Sequence, residues 1–417
     1  MSDRIVNWAG NVTFDAKRLH RPSSVAEIRD LVAGAPKVHA LGTAHSFNRI
    51  ADSPGDLVSV AGLPRLMDID SAGRTVTASA GLRYGELAPY LHENGFALHN
   101  LGSLPHLSIA GACATGTHGS GERNGGLATA VSGLELVAAG GEQVKLDRTS
   151  ELFPAAVVGL GAFGVATSVT LDLQPTFEVE QHVYDGLPFD AFREHFAEVM
   201  GAGYSVSAFT AWAGTLTIWL KRRVDGPPAP AGRWLGATPA DGPRHPVPGM
   251  PASNCTEQLG VPGPWHERLP HFQLEFTPSS GEELQSEYFV ARRDAVDALV
   301  ALDGIRDRIA PVLQISEIRT IAADDLWLSP AYGRDSVAFH FTWVKDTAAV
   351  TPVLAAIEER LAPFAARPHW GKVFVMAPDL LAERYERLRD FATLARRHDP
   401  AGVFRNDMLD GLASMDW

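Results

Sequence analysis

The sequence predicts an α+β protein whose second half forms a large antiparallel sheet covered by helices. Short strands and hairpins fill the first 175 residues, and a β-α-β-β pattern then occurs twice between residues 178 and 344. The chain has 417 residues, a length that suggests two to three domains with sizeable cores. We therefore expect a change of domain near residue 175.

Residues 1–175 contain short elements separated by turn residues. An apolar strand is predicted at 38–41, ending at Gly42, and strands predicted at 67–70 and 74–80 flank a hairpin loop. A helix is predicted over 84–94, where apolar residues share one face and Gly95 ends the element.

The second half repeats one pattern and is interrupted by a proline-rich excursion. Ten of the 28 prolines fall in residues 227–264, which indicates a stiffened segment laid across a surface. A helix at 379–398 belongs to neither half by pattern alone. The first repeat has a strand at 178–185, a helix at 189–200 and strands at 204–211 and 215–222; the second has a strand at 285–290, a helix at 291–309 and strands at 313–320 and 336–344, followed by a helix at 348–362.

Composition narrows the class of protein. The formal net charge of −13, without any run of Lys or Arg, argues against nucleic-acid and membrane partners. Only two cysteines occur and no secretory signal is visible, so we expect a cytoplasmic protein. No apolar stretch is long enough to span a membrane. Nothing in the sequence demands a partner subunit, so a monomer is expected.

The 39 glycines are clustered, and the most motif-like cluster is misleading. Gly159–Gly164 matches the G-x-G-x-x-G pattern of dinucleotide-binding folds, which requires a helix to follow. Residues 165–173 instead alternate apolar and polar side chains with period two, which predicts a strand. We therefore set the nicotinamide-binding interpretation aside.

Two other small-residue segments are more informative. Leu41–Phe47 is a glycine-led turn straight after a strand, where backbone N–H groups can converge on a phosphate. In residues 108–121, eleven of fourteen side chains are Gly, Ala, Ser or Thr, which implies close approach to something flat or charged. Two ordinary loops and a small-residue packing seam are the alternative interpretation.

Two strands of the second half each carry a polar face. Glu317 and Arg319 share one face of their strand, and His340 and Thr342 share one face of theirs. Together with Lys372 they form a set suited to a hydroxylated ligand, since it mixes hydrogen-bond donors and acceptors. The alternative is a solvated outer face with an incidental ion pair. No spacing of metal ligands appears, so we expect no metal site.

Six segments carry a resemblance to a known family. The chain resembles the alditol oxidases of the vanillyl-alcohol oxidase superfamily in LGTAHSF, LGSLPHLSIAGACATGTHGSG, HPVPGMPASNCTEQ, SEIRT, FHFTWV and RPHWGKVF. The resemblance implies a two-domain flavoprotein. Residues 1–175 would form an FAD-binding domain of two small α/β subdomains, residues 176–372 a substrate-binding cap, and residues 373–417 a segment returning to the FAD domain.

The same resemblance assigns the cofactor residues. It implies that His45 bonds covalently to the flavin and that Gly102 leaves a path open for oxygen. Ala44 stands where relatives often have glycine, and we expect it to require a negative φ. The remaining residues implied to bind FAD are Leu41, Gly42, Thr43, Ala44, Ser46, Phe47, Ser103, Ser108, Gly111, Thr115, Gly116, Thr117 and His118.

The resemblance also implies a reaction. The terminal C1 hydroxyl of an alditol such as xylitol or sorbitol would become an aldose, with hydride transfer to flavin N5 and reoxidation by O2 to hydrogen peroxide. Lys372 would accept the hydroxyl proton, Arg319 would stabilise the developing negative charge, and Glu317 would anchor hydroxyls and hold Arg319. His340 joins them as a catalytic residue; Ser103, Glu317, Arg319, Thr342 and Lys372 would bind substrate.

Two alternatives stay open. An aldonolactone oxidase or dehydrogenase of the same superfamily would share His45 but act on a lactone ring. A non-catalytic polyol-binding protein is the alternative from another class.

Overall fold

The computed structural model describes residues 4–275 and 282–413. Residues 1–3 of the predicted FAD-binding domain and residues 414–417 of the predicted C-terminal segment lie outside the described residues. Near the N-terminus, a parallel three-stranded sheet has the order β1-β3-β2. Ser24 caps the intervening helix by accepting from the Glu27 N–H group. The elements are β1 (Arg18–His20), α1 (Val25–Gly34), β2 (Val38–Leu41) and β3 (Asp56–Ser59).

A five-stranded antiparallel sheet follows. Its central strand comes directly after the glycine motif at residues 159–164, where a dinucleotide-binding fold would have a helix. The motif ends at Gly164 and a strand begins at Val165, as predicted. The sheet order is β4-β5-β9-β7-β8, and β6 pairs with β10. The elements are β4 (Met67–Asp70), β5 (Thr75–Ser79), α2 (Tyr84–Glu93), β6 (Phe96–Ala97), α3 (Ile109–Ala114), β7 (Val131–Val137), β8 (Gln143–Asp147), α4 (Phe153–Ala156), β9 (Val165–Asp172) and β10 (Gln174–Pro175).

The second half forms a nine-stranded antiparallel sheet. Its order is β14-β11-β13-β12-β17-β18-β16-β19, with β15 also paired to β11. The elements are β11 (Glu178–Pro188), α5 (Phe189–Glu194), α6 (Phe196–Met200), β12 (Ser205–Thr210), β13 (Thr215–Arg223), β14 (Thr238–Pro239), β15 (Gly263–Pro264), α7 (Trp265–Arg268), β16 (Glu283–Ala291), α8 (Ala295–Asp303), α9 (Arg306–Ile309), β17 (Leu313–Ile321), β18 (Ser336–Val344), α10 (Thr347–Leu361) and β19 (Arg367–Pro368).

Three predicted helices are broken in the structure. The helix expected over 189–200 divides at His195, whose φ of −109° and ψ of 25° leave the helical region. The helix expected over 291–309 begins only at Ala295 and divides after Asp303, where Gly304 is a poor helix former. The helix expected over 379–398 divides at Tyr385, which follows α11 (Pro378–Arg384) and precedes α12 (Leu388–His398) and α13 (Asp407–Ala413).

The two faces of the large sheet have different roles. On β18, Phe339, Phe341 and Trp343 are buried in a core shared with α8 and α10. His340 and Thr342 alternate with them and point to the opposite face. Burial of each large apolar side chain contributes about 1.5–3 kcal/mol, which keeps the helices on one side. The α+β class with a helix-covered antiparallel sheet is therefore confirmed.

A second core joins the N-terminal sheets to the end of the described chain. Phe391 and Leu409 lie in the same hydrophobic cluster as Val76 and Leu87. The Val38 N–H donates to the Val403 carbonyl at 2.8 Å. The domain boundaries at 175 and 372 stay predictions. Over the residues that the structure describes, no helix has both the length and the apolar character needed to cross a membrane.

The buried face of β18 generates a stability prediction. Phe339 is 1% exposed, so Phe339→Ala should lower the free energy of unfolding by about 3–5 kcal/mol because it leaves a cavity. Val344→Ala is the control on the same strand, because its side chain is 37% exposed and should cost less than about 1 kcal/mol. Guanidinium unfolding of both variants measures the effect, and equal losses would contradict this account of the sheet.

Candidate active site

One cavity separates the small-residue segments from the polar face of the large sheet. The structure brings most of the predicted site residues to its wall, although they come from distant parts of the chain. Those on the wall are Leu41, Gly42, Thr43, Ala44, His45, Ser46, Phe47, Ser103, Ser108, Gly111, Thr115, Thr117, His118, Glu317, Arg319, His340, Thr342 and Lys372.

Two predicted glycines, Gly102 and Gly116, are not among the wall residues. A Cβ added to Gly102 would lie 3.6 Å from Thr117 Cγ2, which is ordinary contact distance just behind the wall. Gly116 has a φ of +72°, and a Cβ there would lie 2.9 Å from the ring of Pro330. Glycine is therefore favoured at position 116 by the left-handed backbone conformation and by the close approach of Pro330.

Gly42, Ser108 and Gly111 form a cradle in which the two glycines have no room for a side chain. A Cβ on Gly42 would approach Ser108 Oγ to 2.6 Å, and one on Gly111 would approach it to 2.7 Å. Ser108 Oγ is buried and has no hydrogen-bond partner among the described residues. An unpartnered buried hydroxyl at such a cradle suits an oxygen-rich ligand.

The turn before His45 differs from our expectation. Ala44 adopts a φ of +57°, so the expected negative φ is wrong. A left-handed conformation costs an alanine roughly 1–2 kcal/mol. The Ala44 carbonyl accepts a hydrogen bond from the Trp8 N–H group at 2.8 Å, which helps to hold this conformation.

His45 has the properties of a nucleophilic imidazole. Its ring stacks on Trp8 with centroids 5.1 Å apart, and Nδ1 is buried without a hydrogen-bond partner among the described residues. Burial lowers the pKa of His45 to about 4, and the neighbouring His106 acts in the same direction. The ring is therefore uncharged near neutral pH, and a ring nitrogen is available for bonding.

The centre of the charged cluster is a residue that the sequence analysis missed. Glu287 Oε1 lies 2.6 Å from Arg319 Nη2, and Glu287 Oε2 lies 2.7 Å from Lys372 Nζ. Glu317, the expected partner of Arg319, lies farther away, at 3.6 Å from its Nε. Glu287 therefore holds Arg319 more closely than Glu317 does. A signal existed, since residues 283, 285 and 287 alternate with apolar or small ones on β16.

Burial and charge act in opposite directions on the titratable groups of this cluster. Burial raises the pKa of Glu287, but the Lys372 and Arg319 charges hold it well below its usual range. Burial lowers the pKa of Lys372 while the Glu287 carboxylate opposes that shift. Burial also lowers the pKa of His340 well below its usual value, so His340 is neutral.

Further residues missed by sequence reasoning complete the cavity. His340 Nε2 lies 3.1 Å from Gln285 Oε1, and His271 Nε2 lies 2.8 Å from Glu317 Oε1. The proline-rich excursion contributes His245 and Met250 to the wall. These loop residues carried no periodic signal. Among residues 4–275 and 282–413, no His, Cys, Asp or Glu side chains are grouped so as to hold a metal ion.

The paired cations generate a pH-dependent prediction. Glu287→Gln leaves Arg319 and Lys372 without their shared counter-charge, so it should lower the free energy of unfolding at pH 7 by about 3–5 kcal/mol. Because the folded pKa of Glu287 is depressed, its contribution is present above about pH 4.3 and is lost as the pH falls below that value. The gap between wild type and variant should therefore narrow at pH 3.

Guanidinium unfolding at both pH values tests this prediction. Glu198→Gln is the control, since Glu198 is 55% exposed and pairs with His195 at the surface. A gap that stays constant between pH 7 and pH 3 would contradict the role given to Glu287.

The comparisons with known proteins agree with this geometry. Residues 16–147 match the family described as FAD binding domain, and residues 282–412 match the family described as D-arabinono-1,4-lactone oxidase. The unpartnered Ser108 hydroxyl, the side-chain-free cradle and the uncharged His45 fit FAD. The chain is an FAD-dependent oxidoreductase.

Relatives and solved structures cover nearly the whole chain. It is 54% identical to an alditol oxidase from a Streptomyces species, over 99% of this chain and all of that protein. It is 31% identical to an L-gulono-1,4-lactone dehydrogenase from Mycobacterium tuberculosis, over 96% of this chain and 97% of that one. A cholesterol oxidase from B. sterolicum shares the fold, with a TM-score of 0.81 at 15% identity, over 98% and 96% of the two chains. The chain belongs to the alditol oxidase family within the vanillyl-alcohol oxidase superfamily of flavoproteins.

Proposed function

We propose that this protein oxidises the C1 hydroxyl of alditols such as xylitol and sorbitol to the aldose and passes the electrons to O2. The observation that carries the proposal is the juxtaposition, in one cavity, of the cradle at Gly42 and Ser108 with the buried Glu317 and Arg319 and the partly buried Lys372. The 54% identity to an alditol oxidase favours alditols over lactones as substrates. Bound FAD supplies the hydride acceptor and the site at which O2 is reduced to hydrogen peroxide.

The cofactor is held by the first of these two regions. We assign the pyrophosphate to the turn from Leu41 to Phe47, supported by the cradle, and the covalent flavin link to His45, supported by its uncharged ring. Gly102 lies behind the wall, where a missing side chain leaves room for O2 to approach. The other residues assigned to FAD are Ser103, Ser108, Gly111, Thr115, Gly116, Thr117 and His118.

The second region binds the polyol and handles its charge. Ser103, Glu317 and Thr342 pair substrate hydroxyls, and a substrate without those hydroxyls is rejected because the buried groups would be left unpaired. Arg319 stabilises negative charge that develops on the substrate oxygen. Lys372 accepts the hydroxyl proton as a neutral amine, which forms when its ammonium group releases a proton to solvent in the cavity; burial favours this neutral form by lowering the pKa of Lys372. His340, neutral and hydrogen-bonded to Gln285, is placed to assist.

The surrounding assignments follow the same proposal. We assign residues 1–175 to the FAD domain, 176–372 to the substrate cap and 373–417 to a segment returning to the FAD domain. The shared core of the N-terminal sheets with Phe391 and Leu409 supports that return. A cytoplasmic monomer without nucleic-acid partners is the proposed form, supported by the net charge of −13 and by only two cysteines.

Substrate and colour test the proposal together. The purified protein should be yellow, should keep its colour through acid precipitation, and should consume O2 with xylitol or sorbitol while releasing hydrogen peroxide. His45→Ala removes the bonding nitrogen, so its colour should be lost from the precipitate.

Each alternative has its own result. Faster oxidation of L-gulono-1,4-lactone than of either alditol would favour the lactone enzymes. A colourless protein would favour a polyol-binding protein. Fast anaerobic dye reduction with negligible O2 consumption would contradict the open path at Gly102.

The proton acceptor is tested by Lys372→Met. Loss of a general base should slow anaerobic flavin reduction by xylitol roughly 100-fold or more. Lys345→Met is the control, because Lys345 lies at the surface near Glu282 and should leave the rate unchanged. A near-normal rate in Lys372→Met would remove Lys372 from this role.

A further inference from the structure

Two buried titratable residues are not used by the proposed function: Lys221 lies behind the cavity, and His271 is part of its wall. Lys221 on β13 is 1% exposed, and His271, in the loop after α7, is 5% exposed. Lys221 Nζ has three described partners: the carbonyls of Leu269 at 2.5 Å and Pro270 at 3.0 Å, and His271 Nδ1 at 3.1 Å. His271 Nε2 lies 2.8 Å from Glu317 Oε1. The chain Lys221–His271–Glu317 therefore leads from the interior to the cavity wall.

Counting protons along this chain gives one arrangement for the ammonium form of Lys221. The two carbonyls can only accept, so they take two of its three N–H groups. The third N–H points at His271 Nδ1, which must then present a lone pair. A neutral imidazole with an unprotonated Nδ1 carries its proton on Nε2, and that N–H group donates to Glu317.

The local charges support the neutral imidazole of His271 and the ionised Glu317, and they leave Lys221 as the ammonium form below about pH 7. Burial lowers the pKa of His271 to about 4, and the Lys221 charge adds to the shift, so the imidazole is neutral. Burial raises the pKa of Glu317, but Arg319 and His271 hold it below its usual range. Burial lowers the pKa of Lys221 to about 7, although Glu317 and Cys255 oppose this and Arg319 adds to it.

The same loop also orients a second substrate contact. The N–H groups of His271 and Phe272 donate to the Ser103 carbonyl at 3.1 and 3.3 Å. Arg319 Nη1 lies 3.4 Å from Ser103 Oγ. Both polar contacts described for Glu317 end on Oε1, so Oε2 is left to accept from a ligand in the cavity.

We propose that Lys221 and His271 are positioning residues that keep Glu317 oriented as an acceptor for a polyol hydroxyl. Lys221 selects the tautomer of His271, and His271 Nε2–H holds Glu317 Oε1. Neither residue touches the reacting atoms. The identity of the ligand rests on the proposed function, whereas the tautomer of His271 does not.

A matched pair of variants at His271 separates positioning from packing. His271→Gln places an amide N–H group near the position of Nε2, whereas the shorter His271→Asn does not reach Glu317. We expect His271→Asn to raise KM for xylitol roughly 10- to 100-fold, with a smaller change in kcat, because a hydrogen bond to a charged group is lost. His271→Gln should stay within about threefold of wild type.

The Lys221→Met variant tests the other contact of the chain, between Lys221 and His271. Without the ammonium donor, only Glu317 still favours the tautomer with Nε2–H, and Nδ1 is free to carry the proton in part of the molecules, so KM should rise toward the value of His271→Asn. Flavin content and Tm are measured for every variant. Equal KM values in His271→Gln and His271→Asn would overturn the proposal.

A second measurement does not depend on turnover. In ¹⁵N-histidine spectra of the full-length holoenzyme, the signals missing from His271→Gln identify His271. Protonated Nε2 with unprotonated Nδ1 in the wild type, and a smaller share of that tautomer in Lys221→Met, is the expected result. The opposite tautomer in the wild type would overturn the proposal. A wild type that fails to oxidise any alditol, yet shows the expected tautomer, contradicts the proposed function and leaves the positioning chain standing.

Discussion

A single buried carboxylate connects the parts of this site. Glu287 on β16 reaches Arg319 on β17 and Lys372 beyond β19, although β18 separates the first two strands in the sheet. Taking two cations out of water costs several kcal/mol for each, and the cost is offset only by close opposite charges and hydrogen bonds. With Glu317, the cluster holds two carboxylates against two cations. Two cations and two carboxylates are therefore kept in fixed places beside the cavity, in a chain whose formal net charge is −13.

The rest of the architecture follows from what stands on each side of that cluster. Helices cover one face of the nine-stranded sheet, because the apolar residues of β18 are buried against them. The opposite face is free to carry polar side chains toward the cavity. Across it stand segments so poor in side chains that a Cβ on Gly42 would collide with Ser108. One wall thus supplies charge and hydrogen bonds, and the other supplies space for a flat cofactor.

Local patterns predicted the parts of the fold that depend on local physics. Period-two alternation identified β9 behind a misleading glycine motif, and it placed Glu317 with Arg319 and His340 with Thr342. Helix continuity was predicted less well. The break at Tyr385 accompanies tertiary contacts, since its hydroxyl donates to the Pro368 carbonyl and its ring packs 4.4 Å from Trp370. A helical pattern carries no information about such contacts.

By itself, the sequence determined which faces are polar, which segments lack side chains, and which family the chain resembles, because each is written in neighbouring residues. Only the tertiary structure decided which side chains pair with one another. The strand order places Glu287 closer to Arg319 than Glu317 is. A loop without a periodic sequence pattern places His271 next to Glu317. Ala44 likewise adopts a left-handed conformation and accepts a hydrogen bond from Trp8, a residue that is distant from it in the sequence. Side-chain pairing depends on which strands and loops become neighbours, and no local pattern specifies that.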